Sequence, residues 1–270
     1  NFSGSEEFTA TVSDGNLTAS QTFTVTVAPV NDAPVLASVS AVSFDEDGSG
    51  STTLSGSDID GDDLTYSITE GTDITATVDG ATVSFSATSN FNGSESFTAT
   101  VTDGEYTSSQ TFTVTVNAVN DTPALAAVDA VNFDEDSSTS ITLSGSDIDG
   151  DGLTYSVSTG TDITATVDGF TVTFTATENF SGSEEFTATV SDGNLTASQT
   201  FTVTVAPVND APVLASVSAV SFDEDGSGST TLSGSDIDGD DLTYSITGGT
   251  DITASVDGAT LSFTATSNFN

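Results

Sequence analysis

Apolar and polar residues alternate along almost the whole chain. Phe23, Val25 and Val27 are separated by threonines, as are Phe112, Val114 and Val116, and Phe201, Val203 and Val205. Phe97, Ala99 and Val101 form a second such set, Leu64, Tyr66 and Ile68 a third, and Val83, Phe85 and Ala87 a fourth. A period of two places successive side chains on opposite faces of a strand, so each set lines one buried face. The intervening Thr and Ser suit the watered face. No stretch carries the 3.6-residue stripe of a helix. Within residues 33–121 the pattern predicts seven strands, near 35–44, 50–57, 63–69, 72–78, 81–88, 94–102 and 108–117. Asp79-Gly80 and Asp103-Gly104 are hairpin turn signals. Seven short strands in this length predict an all-β fold, a Greek-key β-sandwich of immunoglobulin type. Trp and Cys are absent, so Phe and Tyr must fill the centre.

The pattern recurs every 89 residues. Asp32, Asp121 and Asp210 each end a Val-Asn-Asp step, and Asp45, Asp134 and Asp223 each open an Asp-Glu-Asp triplet. Asn-Phe steps at 1, 90, 179 and 268 mark the same phase. Such a period is too long for a solenoid and suits separate domains, each with its own core. Proline after each Val-Asn-Asp step (Pro34, Pro123, Pro212) interrupts a strand and stiffens the link. The expected organisation is therefore tandem: 1–32 as the last two strands of one repeat, 33–121 and 122–210 as whole domains, and 211–270 as the first five strands of another. Half a core is missing from each outer piece, so neither is expected to be a stable sandwich alone. Residues 1–69 and 179–247 are identical, which marks a recent duplication of a two-domain unit.

Charge adds a constraint that the pattern does not carry. The chain has 41 Asp and Glu and no Lys, Arg or His, for a formal net charge of −41. That sign repels DNA, RNA and anionic membrane surfaces, and no apolar run reaches the ~18 residues of a membrane span. With no Cys there is no disulfide or thiolate chemistry. With no His, Lys, Arg or Cys the usual bases and nucleophile partners of an enzyme are missing, and a non-enzyme is expected. The sequence has no Met and no leader pattern, and it reads as a window on a longer chain.

The acids concentrate at fixed places. Asp58, Asp60, Asp62 and Asp63 lie within six residues, and the cluster returns at Asp147, Asp149 and Asp151 and at Asp236, Asp238, Asp240 and Asp241. One reading is a solvated acidic turn. The other is Ca²⁺, which takes 6–8 hard oxygen ligands. Recurrence, and the lack of any side chain able to neutralise the acids, favour calcium. The spacing is not that of an EF-hand, because Gly61 falls at the fourth loop position and no Glu stands at the twelfth. Ligands would have to come from several loops.

Taken together these segments resemble a known family. Asp58-Ile59-Asp60-Gly61-Asp62-Asp63-Leu64-Thr65-Tyr66 resembles the Asp-x-Asp segment of cadherin repeats, and Val30-Asn31-Asp32-Ala33-Pro34 resembles a shortened cadherin linker without its first Asp. Phe44-Asp45-Glu46-Asp47 resembles the first-strand Glu region, Thr102-Asp103-Gly104 the Asp before the last strand, and Asn90-Phe91-Asn92 sits where cadherins carry Asp-Arg-Glu. The whole is similar to the cadherin-like tandem repeats of large secreted bacterial adhesins, over essentially all 270 residues. The resemblance implies calcium at each junction between domains. At 31–34 it implies Asn31, Asp32, Asp58, Asp60 and Asp103 as ligands. At 120–123 it implies Asn120, Asp121, Asp147, Asp149 and Asp192, with Glu46, Asn90 and Asn92 from the domain before. At 209–212 it implies Asn209, Asp210, Asp236, Asp238, Glu135 and Asn179. Asn in place of two carboxylates lowers the charge, so one or two ions per junction are expected, fewer than in animal cadherins.

The function implied is a calcium-stiffened extension of an extracellular, cell-surface adhesin, whose partners are the neighbouring repeats. The alternative is a filament in which residues 1–32 of one copy meet 211–270 of another. A carbohydrate-binding face is disfavoured, since Tyr66, Tyr155 and Tyr244 take inward positions and Trp is absent.

Overall fold

A computed structural model describes residues 2–266, so the Asn-Phe phase mark at 268 and the remainder of 267–270, with Asn1, lie outside the described residues. The described chain is all strand and loop. It divides into two compact units, one ending at Asn120 and the other beginning at Asp121.

The first unit opens on a hairpin, β1 (Gly4–Ser13) and β2 (Thr18–Val27), paired in register from Gly4↔Val27 to Ser13↔Thr18. Nine strands follow: β3 (Val35–Leu36), β4 (Val42–Asp45), β5 (Ser49–Thr53), β6 (Gly56–Ser57), β7 (Thr65–Ile68), β8 (Ile74–Asp79), β9 (Thr82–Ala87), β10 (Gly93–Thr102) and β11 (Thr107–Asn117). One sheet has the order β4-β11-β10-β7, the other β5-β9-β8, and β3 pairs with β6 at the edge. The chain passes from the first sheet to the second between β7 and β8 and returns between β9 and β10, which is the Greek-key path. Between the sheets lies a core built on the inward sets read from the alternation. Phe85 of one sheet meets Phe97 and Phe112 of the other edge-on, with ring centroids 5.4 and 6.0 Å apart.

Two predicted strands are divided. The expected strand 35–44 is β3 and β4, and the expected strand 50–57 is β5 and β6. The reason is pairing. β3 runs antiparallel to β6, whereas β4 runs parallel to β11 in the opposite layer, from Val42↔Val114 to Asn117↔Asp45. One extended segment cannot lie in both layers, so residues 37–41 cross the edge of the sandwich and Val39 packs on the core as they pass. The turn signals agree with the pairing. β8 and β9 are joined by Gly80-Ala81 with Gly80 at φ +59°, and β10 and β11 by residues 103–106 with Gly104 at φ +102°.

The second unit repeats this arrangement as β12 (Ala124–Leu125), β13 (Val131–Asp134), β14 (Ser138–Thr142), β15 (Gly145–Ser146), β16 (Thr154–Val157), β17 (Ile163–Asp168), β18 (Thr171–Ala176), β19 (Gly182–Ser191) and β20 (Thr196–Ala206). The sheets β13-β20-β19-β16 and β14-β18-β17 enclose a core centred on Phe174, Phe186 and Phe201. Beyond the Val208–Pro212 link come β21 (Val213–Leu214), β22 (Ser227–Thr231), β23 (Gly234–Ser235), β24 (Ile252–Asp257) and β25 (Thr260–Ala265). They form the β21-β23 pair and the sheet β22-β25-β24. The chain is thus a tandem array of β-sandwich domains, with part of a sandwich at each end of the described residues.

Candidate metal centre

Each candidate site starts from one loop and one linker. The loop before β7 is folded around Asp58, whose Oδ1 accepts hydrogen bonds from the backbone N–H of Asp60 (2.8 Å) and Gly61 (3.1 Å). Gly61 takes φ +85°, which a residue with a Cβ rarely adopts. The loop so shaped offers Asp60, whose Oδ2 accepts from the N–H of Asp32 at 2.8 Å and holds the linker against it. Asp103 completes the arrangement from the β10–β11 turn. Its Oδ1 accepts from Glu105 N–H (2.8 Å) and Tyr106 N–H (2.7 Å), and its Oδ2 from the side-chain amide of Asn31 at 3.0 Å. The Tyr106 N–H above all, helped by Glu105 and Asn31, outweighs desolvation and holds the Asp103 carboxyl below its ordinary value. Asn31, Asp32, Asp60 and Asp103 are therefore joined by direct bonds, and Asp58 shapes the loop that carries Asp60.

The same construction recurs in the second unit. Asp147 Oδ1 accepts from Asp149 N–H (3.0 Å) and Asp151 N–H (3.2 Å), and Asp149 Oδ2 accepts from Asp121 N–H at 2.8 Å. Asp192 holds its own turn through Asn194 and Leu195. Asp236 Oδ1 accepts from Asp238 N–H (3.0 Å) and Asp240 N–H (3.3 Å), and Asp238 Oδ2 from Asp210 N–H at 2.7 Å. The Asn209 side chain bonds the Asp210 carbonyl (2.9 Å).

Glu46 and Glu135 supply the second half of the design. Both are charged groups in buried positions, each only 6% exposed. Each follows the strand beside the last strand of its domain, and each reaches the linker that leaves it. Glu46 Oε1 accepts from Val119 N–H, and Glu135 Oε1 from Val208 N–H at 2.6 Å. In the second unit this brings oxygens of Glu135, Asp210 and Asp238 within 4.8 Å of one another.

Among the described residues, four buried carboxylate oxygens have no hydrogen-bond partner: Glu46 Oε2, Asp58 Oδ2, Asp147 Oδ2 and Asp210 Oδ2. An orphaned buried anion is costly unless a cation meets it, and no side chain of this protein is cationic. Desolvation first, then the charges of Asp238, Asp136, Glu135 and Asp236, push the Asp210 carboxyl above its ordinary value. These residues fit Ca²⁺. The donors are all hard oxygens, and oxygens ~2.3–2.6 Å from a shared ion lie up to about 5 Å apart, which accommodates the 4.8 Å spread.

The remaining expected ligands stand differently. Asn90 and Asn179 occupy left-handed turns (φ +55° each), and their backbone N–H groups donate to Asp47 Oδ1 (3.2 Å) and Asp136 Oδ1 (3.0 Å). Asn92 is exposed beside Asn90. Of the set expected at 120–123, Glu46, Asn90, Asn92 and Asn120 belong to the first unit, and Asp121, Asp147, Asp149 and Asp192 to the second. Asp136 was not among the expected residues, yet it anchors the Asn179 turn and its charge acts on Asp210. Its only sequence signal is the Asp-Glu-Asp triplet at 134–136.

Comparison with known proteins gives one family and a set of solved folds. The model of the bacterial Ig domain matches three times in tandem, over residues 31–117, 120–204 and 209–270. No curated protein matches the chain. Among solved structures, the protocadherin GammaB4 extracellular domain aligns at TM-score 0.51 and 20% identity, covering 98% of this chain and 49% of that one. Cadherin domains 1–5 of protocadherin Gamma B2 align at TM-score 0.49 and 18% identity, covering 86% of this chain and 52% of that one. An endo-fucoidan hydrolase of glycoside hydrolase family 107 aligns at TM-score 0.30 and 20% identity, covering 77% of this chain and 34% of that one. The chain thus spans about half the length of these protocadherins and a third of the hydrolase.

Proposed function

The chain belongs to the bacterial Ig domain family, and from that premise we propose that it is a calcium-stiffened extension region of a secreted bacterial surface adhesin, working outside the cell. The observation that carries this reading is the set of orphaned buried carboxylate oxygens around the linkers, in a protein without one cationic side chain. The frame expected from the sequence, 122–210 and 211 onward, supports it, because within the second unit the acidic set at 209–212 falls where one frame ends and the next begins. In the second unit, Glu135 comes from one sandwich and Asp210 and Asp238 from the linker and the next, so a shared ion ties two sandwiches together. With the ion bound, the link is held by several bonds to oxygen. Without it, like charges repel across a short linker and the link loosens.

Repetition suits this role. A spacer gains from each added copy, and each sandwich adds roughly a strand length and its loops, on the order of 35–45 Å at ~3.3 Å per residue. Extracellular modules commonly bind calcium at ~10⁻⁴–10⁻³ M, weak enough to stay empty in the cytoplasm and to fill outside.

Calorimetric titration of the 270-residue chain with CaCl₂ tests the reading, alongside small-angle scattering in calcium and in chelator. The expected result is saturable binding in that concentration range and a narrower distribution of interdomain distances with calcium. Glu135→Gln and Asp238→Asn should each weaken the second-unit site by on the order of tenfold, about 1.4 kcal/mol. Absence of saturable binding at millimolar calcium sinks the proposal, as does a scattering profile that chelator leaves unchanged.

A further inference from the structure

The turn that leads into β10 differs from its sister copies at one residue. An Asn-Phe step, one further residue and a glycine recur at 1–4, 90–93 and 179–182, and the further residue is Ser3, Asn92 and Ser181 in turn. The middle copy therefore contains an Asn-Gly pair. Of the asparagines in the chain, Asn92 alone is followed by glycine.

The glycine is imposed by the fold. Gly93 takes φ +154° and Gly182 φ +158°, which a residue with a Cβ rarely adopts. The ring two residues back also lies against it. A Cβ on Gly93 would meet Phe91 Cζ at 3.0 Å, and one on Gly182 would meet Phe180 Cζ at 2.9 Å. The position before the glycine carries no such demand, since Asn92 and Ser181 are both exposed. Asparagine there belongs to this copy alone, and it is followed by the residue that least shields its own backbone nitrogen.

Asn92 is also placed to react. It lies one residue ahead of the β10–β11 ladder, which begins at the pair Gly93↔Val116. That rung is terminal, and terminal rungs open at little cost. Among the described residues no hydrogen bond holds the Asn92 side chain. Asn90 is held differently: its N–H donates to Asp47 Oδ1 at 3.2 Å, and bulky Phe91 follows it.

We propose that Asn92 is a self-modification site, at which the folded chain loses ammonia and gains a carboxylate. The Gly93 backbone nitrogen gives up its proton and bonds to Asn92 Cγ. The bond from Cγ to Nδ2 breaks, and Nδ2 leaves as ammonia with that proton. A cyclic imide remains, and water adds to one of its two carbonyls. Opening at the side-chain carbonyl gives aspartate. Opening at the main-chain carbonyl gives isoaspartate, in which the chain runs through the former side chain just ahead of β10. One water is consumed and one ammonia released, and no electrons are exchanged. The step needs no enzyme and does not reverse, so older chains carry more of the product. In the calcium reading, on which this consequence alone rests, a neutral donor becomes a charged one and calcium binds more tightly.

Ageing the full 270-residue chain in heavy-oxygen water, at neutral and at mildly alkaline pH, tests this. The chain has no Lys or Arg for trypsin, and a protease that cuts after Glu releases residues 71–95, which hold Asn90 and Asn92 together. Fragment masses should show one heavy oxygen taken up at Asn92 and none at Asn90, with both aspartate and isoaspartate formed. Uptake should be faster at the higher pH, because the attacking nitrogen must shed its proton. Asn92→Ser, the residue of the sister copies, should abolish uptake and keep the fold. An Asn92 that stays intact, or that converts only in denaturant, overturns the proposal. Equal conversion at Asn90 does so too, since the glycine then confers nothing. Calcium titration of Asn92→Asp should give severalfold tighter binding than wild type, and equal affinity overturns the calcium consequence. A chain that takes up heavy oxygen but binds no calcium keeps the modification and loses the calcium reading.

Discussion

At the scale of single residues, one side-chain type is held in opposite states by its surroundings. Asp14 Oδ1 accepts the N–H groups of Asn16 (2.9 Å) and Leu17 (2.8 Å). The Leu17 bond, then that of Asn16, holds its carboxyl below the ordinary 3.8. A depressed value stabilises the fold above the unfolded pKa, and that contribution fades as pH falls through the folded one. Asp210 is the reverse. Desolvation and four neighbouring acids raise it above 3.8, so between 3.8 and the raised value the folded chain holds a proton that the unfolded chain has released. Metal-free stability therefore declines as pH rises through that window. Calcium requires the ionised carboxylate, so the same proton weakens binding at acid pH. Carboxyl NMR titration of the metal-free chain should place Asp14 below 3.8 and Asp210 above it, and saturating calcium should pull Asp210 down. An Asp210 that titrates identically with and without calcium would remove it from the site.

The element scale separates what a sequence fixes from what its setting fixes. Phe186 and Phe8 occupy the same place in the same strand sequence, but Phe186 is fully buried and Phe8 is not. Phe186→Ala should cost about 3–5 kcal/mol in denaturant unfolding. In the 270-residue chain Phe8→Ala should change stability by no more than about 0.5 kcal/mol; equal effects would mean that the hairpin is already packed. A second element-level prediction concerns the turn before β17. Glu184 accepts the N–H groups of Thr161 (3.0 Å) and Asp162 (2.8 Å), and a Cβ on Gly160 would meet Glu184 Oε2 at 2.2 Å and the Ile163 carbonyl at 2.3 Å. Gly160→Ala should therefore lower the melting temperature, because one of the contacts is backbone and cannot swing aside. Most of the sandwich was legible because alternation reports directly on which face is buried, as with Phe97, Ala99 and Val101. The division of 35–44 and 50–57 was not, since nothing in the side chains of Ala37–Ala41 says that the backbone changes layers there. The linker and the Asp-x-Asp loop were legible through recurrence. The part played by Asp136 was not, because it arises only when the 134–136 triplet meets the turn at Asn179.

For the whole molecule, charge dominates. Forty-one acids and no bases leave repulsion that nothing in the chain offsets. Monovalent salt screens it, with a Debye length of about 30 Å at 0.01 M and about 3 Å at 1 M. The melting temperature in chelator should therefore climb as NaCl is raised across that range. With calcium bound the climb should flatten, because the crowded acids are already neutralised. A melting temperature indifferent to salt in chelator would show that the acids lie too far apart to matter.

The dependence of β4 and β7 on β11 and β10, which come later in the repeat, sets an order of events during synthesis. A sandwich cannot close until its final thirty or so residues have emerged, so a lengthening array always trails one unfinished domain. The next hairpin to appear and those already placed carry the same inward side chains. Timing, rather than chemical recognition, then decides which hairpin each domain receives, and anything that delays one hairpin invites its neighbour to take the seat.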